Sequence, residues 1–165
     1  MEKIAKKFKK IKLLVLDFDG VMTDNRVLVS EKGEESVFCN RSDGLGIEML
    51  KKKGIEAMVI SKEKNKVVLA RCKKLKIKCL SGINKKYDLF IKELRRRKLK
   101  SENICFIGND INDLDCIKSA GIGVAVADSQ QSVLDIADYI TKKKGGEGAV
   151  REIIDLILQI NKIQN

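Results

Sequence analysis

The chain has 165 residues, with 34 Lys and Arg against 23 Asp and Glu, a formal net charge of +11 and no histidine. Without histidine, a Ser-His-Asp triad, a Cys-His pair and a Cys/His zinc site are excluded, so acid–base chemistry falls to Asp, Glu, Lys or Tyr. Hydrophobic residues make up 44% and charged residues 35%, the balance of a soluble globular chain long enough for one domain, taken as residues 1–165, with a sizeable core.

The basic start, Met1-Glu2-Lys3-Ile4-Ala5-Lys6-Lys7, runs through a short apolar stretch straight into an acidic motif and shows no small-residue cleavage site. It does not read as a signal peptide, and no apolar run reaches the roughly 20 residues of a membrane span, so a cytoplasmic protein without membrane contact is expected. Cys39, Cys72, Cys79, Cys105 and Cys116 show no C-x-x-C spacing and read as reduced, mostly buried thiols. The positive charge raises the possibility of a nucleic-acid partner. Its lysines are spread along the chain, however, with only two Tyr and five Phe to stack on bases, so a solvated Lys-rich surface is the better reading and no nucleic acid is expected.

In chain order, strands are expected at 11–16, 55–61, 78–80, 104–108, 123–125 and 139–140. Between them lie helical stretches at 44–53, 64–74, 87–97, 112–119 and 132–137. A last helix at 148–160 brings Val150, Ile153, Ile154 and Ile157 to one face. Strands alternating with helices of this length predict an α/β fold, a mostly parallel sheet covered on both faces, with ligands at the carboxyl ends of the strands. One segment breaks the alternation. Residues 26–30 and 35–39 flank the turn Glu31-Lys32-Gly33-Glu34 and read as a β-hairpin, too small to be a domain and expected to pack on the body or on another subunit.

The residues that carry chemistry close these strands. The first runs into Asp17-Phe18-Asp19-Gly20-Val21-Met22-Thr23-Asp24, which puts two carboxylates at a strand mouth, with Gly20 free to turn the backbone away. Ser61 closes the second strand, Lys86 stands at a helix entry after Gly82-Ile83-Asn84-Lys85, and Gly108-Asn109-Asp110-Ile111-Asn112-Asp113 follows the strand at 104–107. Alone, Ser61 is an ordinary strand-end or cap residue and Lys86 a solvated lysine, with Lys85 an adjacent competitor.

Together and in this order, the four motifs resemble the haloacid dehalogenase superfamily of phosphatases, with a Rossmann-like sheet. The resemblance implies Mg²⁺ as cofactor, Asp17 as nucleophile and metal ligand through an aspartyl-phosphate intermediate, and Asp19 as acid–base residue that also offers its carbonyl to the metal. It implies Ser61 and Lys86 as phosphate contacts, and Asn109 and Asp110 as further metal ligands, with Asp113 an alternative for the last. Many relatives carry an aspartate where Asn109 stands; its amide oxygen still suits Mg²⁺ but brings less charge, so weaker metal binding is expected.

With only a hairpin where many relatives have a cap domain, the chain resembles the capless group acting on 3-deoxy-D-manno-octulosonate 8-phosphate and related sugar acids. That resemblance implies a sugar-acid phosphate substrate and a homotetramer whose hairpins meet centrally, with a neighbouring subunit partly covering each site. It extends to Asn40–Gly46, where Arg41 is a candidate anion contact and Asp43 either a substrate contact or a helix cap, and to the Gly145–Gly148 loop. Eight-carbon specialists tend to continue with Gly-Arg after the serine position, whereas this chain reads Ser61-Lys62-Glu63. With Arg71 and Lys74, Glu63 resembles the branch acting on nine-carbon sialic-type 9-phosphates, or attached to acylneuraminate cytidylyltransferases, and the nine-carbon substrate is the expectation. A degenerate assembly or regulatory module and a nucleic-acid binder are the non-enzymatic alternatives. A two-component receiver domain would need an Asp after the third strand, where Leu80-Ser81-Gly82 has none.

Overall fold

The computed structural model describes residues 2–162. Strands β1 (Leu13–Leu16), β4 (Glu56–Ile60), β5 (Lys78–Leu80), β6 (Ile104–Gly108), β7 (Ile122–Ala125) and β8 (Tyr139–Ile140) form one parallel six-stranded sheet in the order β5-β4-β1-β6-β7-β8. The chain starts in the middle, winds outward to β5, then crosses back to β6 beside β1. That reversal makes a crevice between the carboxyl ends of β1 and β6, the place where open α/β sheets bind ligands.

Alternation along each strand divides the core. Leu14, Leu16, Val59, Cys105, Ile107 and Val124 face one side, covered by α1 (Glu2–Phe8), α2 (Arg41–Lys52), α3 (Lys66–Leu75) and α7 (Ala149–Lys162). Leu13, Val15, Met58, Ile60 and Phe106 face the other, under α4 (Lys86–Arg97), α5 (Leu114–Ser119) and α6 (Gln131–Leu134). The α7 face expected from the sequence is real: Val150, Ile153, Ile154 and Ile157 are all fully buried. Each such side chain contributes about 1.5–3 kcal/mol of transfer free energy.

Local chemistry sets the helix starts. Asn40 caps α2, its side-chain oxygen accepting from Ser42 N–H at 2.9 Å, and Asn65 caps α3 through Val67 N–H at 2.9 Å. The sequence reading started α2 three residues late and carried β1 back to Ile11, which lies in the turn before the strand. It missed α1, whose seven residues are too few to show a period. Phe8 holds that helix, fully buried and edge-on to Tyr139 with ring centroids 6.3 Å apart.

The hairpin between β1 and α2 is present but shorter in its pairing than expected. Strands β2 (Leu28–Val29) and β3 (Glu35–Ser36) pair antiparallel, and a separate bridge joins Thr23 to Cys39. Val37 packs partly against the core, but other apolar side chains of the hairpin stand in solvent: Leu28 is 70% and Phe38 74% exposed. The Glu35 carboxylate accepts a hydrogen bond from the Asn65 amide, which ties the hairpin to the start of α3.

Candidate active site at the strand ends

Three buried charges form the floor of the crevice. Asp17 follows β1, Lys86 opens α4, and Asp113 ends the 3-10 turn Ile111–Asp113 after β6. The Lys86 Nζ lies 2.9 Å from Asp17 Oδ1 and 2.7 Å from Asp113 Oδ1, and none of the three is more than 5% exposed. Asp17 Oδ1 also accepts the Phe18 N–H at 2.7 Å, and Asp113 Oδ2 accepts the Asn109 N–H at 3.0 Å. Thus the motifs of Asp17 and Asp113, far apart in the chain, are clamped on one ammonium group, whose own residue stands 27 positions before Asp113.

Above this floor lies a cavity of about 330 Å³ whose lining includes Asp17, Asp19, Ser61, Glu63, Asn109 and Asp110. Ser61 is buried at the end of β4; its N–H donates to Leu80 O at 2.8 Å and its hydroxyl oxygen accepts from Glu63 N–H at 3.1 Å. That leaves the hydroxyl proton to aim at an anion. Gly20 sits at φ +79°, and a Cβ there would fall 2.0 Å from the Asn109 Nδ2, so the Asn109 side chain packs on the backbone of the first motif only because residue 20 is glycine. Gly145 and Gly146 lie against the same turn, with Gly146 N–H donating to Val21 O at 3.1 Å. The Gly145–Gly148 loop is thus held against the first motif of its own chain.

Burial, and then the neighbouring Asp113 carboxylate, push the Asp17 carboxyl up to about 7 against the pull of Lys86. Asp19 is also raised, by burial first and by Glu63 next, a shift that favours a carboxyl able to hold a proton. Burial disfavours the Lys86 cation, but Asp17 and Asp113 outweigh it and hold the ammonium above its ordinary range.

Not every expected site residue reaches this cavity. Asp43 is fully buried and turned the other way: its Oδ1 accepts the Arg151 N–H at 3.0 Å, in the first turn of α7. Its role as a substrate contact is corrected; nor does it cap α2, which belongs to Asn40. Arg71 donates to the Asn40 carbonyl at 2.9 Å and, with Arg41 and Lys74, lines a separate groove between α2 and α3. Of the five expected substrate contacts, only Glu63 lines the catalytic cavity of this chain. Asp110 lines it too, while its Oδ1 accepts the Ile111 N–H at 2.6 Å.

The sequence reading left Asp113 open between metal ligand and supporting residue. The structure gives it to Lys86, a pairing that the N-D-x-x-D spacing does not reveal. A larger groove, about 800 Å³, opens at the opposite ends of the strands beside Lys12, Lys53 and Leu99. Its ion pairs, Arg97–Glu56 and Lys10–Glu102, are ordinary surface bridges, and it holds no nucleophile beside a cation.

With this geometry in hand, known proteins are informative. The family described as haloacid dehalogenase-like hydrolase matches residues 81–154. The 3-deoxy-D-manno-octulosonate 8-phosphate phosphatase of Escherichia coli is 37% identical over 156 residues, covering 94% of this chain and 83% of that protein. The chain belongs to the haloacid dehalogenase-like hydrolases. The structure of the Moraxella catarrhalis 3-deoxy-D-manno-octulosonate 8-phosphate phosphatase with magnesium ion, phosphate ion and the sugar acid superposes with a TM-score of 0.94 at 33% identity, covering 97% of this chain and 92% of that one. The cobalt-bound Haemophilus influenzae phosphatase gives 0.90 at 31% identity, covering 94% and 92%. This chain is a phosphomonoesterase of that superfamily, and Mg²⁺ is its cofactor.

The donor set fits such a cation. Asn109 Oδ1 is buried and receives no hydrogen bond, an expensive state for an amide oxygen unless a cation completes it. Among the described residues no three His, Cys, Asp or Glu side chains gather into a metal cluster. The residues that could hold it offer mixed oxygen donors, the Asp17 carboxylate, the Asn109 amide and the Asp19 carbonyl, a set that hard cations accept.

Proposed function

We propose that this phosphatase hydrolyses a 2-keto-3-deoxy sugar-acid phosphate, with 3-deoxy-D-manno-octulosonate 8-phosphate as first candidate. The observation that carries the reading is the Asp17–Lys86–Asp113 clamp beneath a small anion-sized cavity, in a chain similar over nearly its whole length to phosphatases of that substrate. This replaces the nine-carbon expectation as the main reading.

Asp17 attacks phosphorus and the bond to the sugar oxygen breaks, while Asp19 gives that oxygen its proton. Asp19 then takes a proton from water, whose oxygen attacks phosphorus and frees the Asp17 carboxylate. Asp17, Asn109 and the Asp19 carbonyl, with Asp110 beside them in the cavity lining, would hold Mg²⁺, which would offset phosphate charge when bound. Lys86 offsets the remaining negative charge and the Ser61 hydroxyl orients a phosphate oxygen.

One observation favours a second reading. Glu63 puts a carboxylate in the cavity where eight-carbon specialists tend to carry arginine, which suits the hydroxyl-rich tail of a nine-carbon acid. Phosphate release with Mg²⁺ from matched eight- and nine-carbon substrates decides between them. Turnover of the eight-carbon substrate at the higher kcat/KM supports the first reading, the reverse supports the second, and release from neither in folded protein rejects both.

The exposed Val27, Leu28, Val29 and Phe38 support assembly through the hairpin, with the homotetramer as the proposed form. Substituting Leu28→Asp together with Phe38→Ser is expected to yield smaller species in light scattering; an unchanged mass rejects the hairpin as the interface.

A further inference from the structure

Thr23 lies in the turn that carries Asp19, four residues beyond it, yet takes no part in the chemistry above. It is completely buried. Its Oγ1 accepts the Gly20 N–H at 3.1 Å and the Asn25 N–H at 3.3 Å, while its own N–H donates to Phe18 O at 3.2 Å. The same residue makes the backbone bridge to Cys39 at the base of the hairpin. A buried hydroxyl therefore ties the two ends of the turn together from inside.

The bond to Gly20 has a geometric consequence. The Asp19–Gly20 peptide is planar and trans, so its N–H and C=O point in opposite directions. Anchoring the N–H on Thr23 aims the Asp19 carbonyl away from Thr23. Among the described residues no N–H donates to that carbonyl, so hydrogen bonding from the protein does not fix its direction. Gly20 itself, at φ +79°, is the most freely rotating point of the turn, and Asn109 Nδ2 closes on the space where its side chain would be.

We infer that Thr23 is a positioning residue: its hydroxyl holds the Asp19–Gly20 peptide so that the Asp19 carbonyl and side chain stand ready for Mg²⁺ and for the departing oxygen. The inference rests on the assignment of Asp17 and Asp19 to the metal and acid roles, and it adds a residue that touches neither substrate nor metal. Groups that orient a ligand from behind typically change metal affinity by about 10- to 100-fold when removed.

The test is Mg²⁺ binding by calorimetry on wild type, Thr23→Val, Thr23→Ser and Asp17→Asn, beside thermal melts without metal. Val keeps the shape and loses the acceptor; Ser keeps the acceptor and loses the methyl. Positioning predicts that Thr23→Val binds Mg²⁺ about 10-fold more weakly, and that Thr23→Ser recovers most of the affinity even where it melts lower. The kcat/KM of Thr23→Val, measured at saturating Mg²⁺, should fall more on alkyl than on nitrophenyl phosphates, because a poor leaving group needs the Asp19 proton most. Thr23→Val binding Mg²⁺ as tightly as wild type, with only a lower melting temperature, overturns the inference and leaves Thr23 a packing residue. Asp17→Asn binding Mg²⁺ undiminished would instead overturn the metal assignment beneath it.

Discussion

At the floor of the crevice, Asp17, Lys86 and Asp113 come from three distant segments and meet within 2.7–2.9 Å, buried, two carboxyl groups sharing one ammonium. At its rim, Glu63 is exposed, and Arg41, Arg71 and Lys74 line a different groove altogether. The floor hangs from the ends of β1 and β6, central strands with core on both faces, and from the first residue of α4, whereas Glu63 stands in the loop after β4, Arg41 opens α2 and Arg71 and Lys74 lie along α3. The contrast separates two jobs. Phosphoryl chemistry needs charges held still in a dry place, and strand ends supply that. Recognition of the rest of the substrate, under the proposed function, falls to the rim.

The sharpest way to break the comparison is at the nucleophile. Asp17→Asn should lower phosphate release by on the order of 10³-fold or more while circular dichroism stays native; a mild loss would mean that the floor is not where the chemistry occurs. Next comes the clamp itself. Asp113→Ala leaves Lys86 with one carboxylate instead of two, and removing a partner from a buried ionic group costs about 3–5 kcal/mol. Urea denaturation without metal reads this directly, and a loss under about 1 kcal/mol would show the clamp to be dispensable to the fold.

Asp43 sharpens the comparison from outside the site. Burial pushes its carboxyl up to about 6 in the folded protein, from an ordinary value of 3.8, although the Arg151 N–H, Arg71, Lys143 and Arg151 pull it down. A raised folded value means stability present in full below about pH 4 and lost as pH rises through about 6, worth up to roughly 3 kcal/mol. Asp43→Asn keeps an acceptor for Arg151 N–H without titrating. Between pH 4 and pH 8 its stability relative to wild type should rise by that amount, and a pH-independent difference would contradict the buried acid. The smallest effect belongs to the rim. Glu63→Ala should change KM a few-fold, about 1 kcal/mol, with kcat nearly constant, and an equal fall in kcat would place Glu63 in the chemistry instead.

The same division governs how much the sequence revealed. The sheet was legible because Leu13–Leu16, Ala57–Ile60 and Ile104–Ile107 are buried on both faces and read as continuous apolar runs. Local pattern put Asp17, Asp19, Ser61, Lys86 and Asn109 near strand ends or a helix start, while the roles expected of them came from the resemblance of the four motifs taken together. Asp113 was legible as an acid but not as the partner of Lys86, since that contact spans 27 residues and depends on how α4 docks. Asp43 misled for the same reason: its partner, Arg151, is 108 residues away and invisible from the local S-D-G-L context of a helix start. Arg71 and Lys74 share a helix with the right spacing to act together, but which groove that face lines is a property of packing.

The central claim is that Asp17 carries the phosphoryl group. The direct measurement is to mix the enzyme with Mg²⁺ and a turning-over phosphate monoester, quench in acid, reduce acyl phosphates with borohydride and locate homoserine by peptide mass spectrometry. Homoserine at position 17 is the predicted result. Homoserine at another carboxylate, or none anywhere in a sample that has released product, would contradict it.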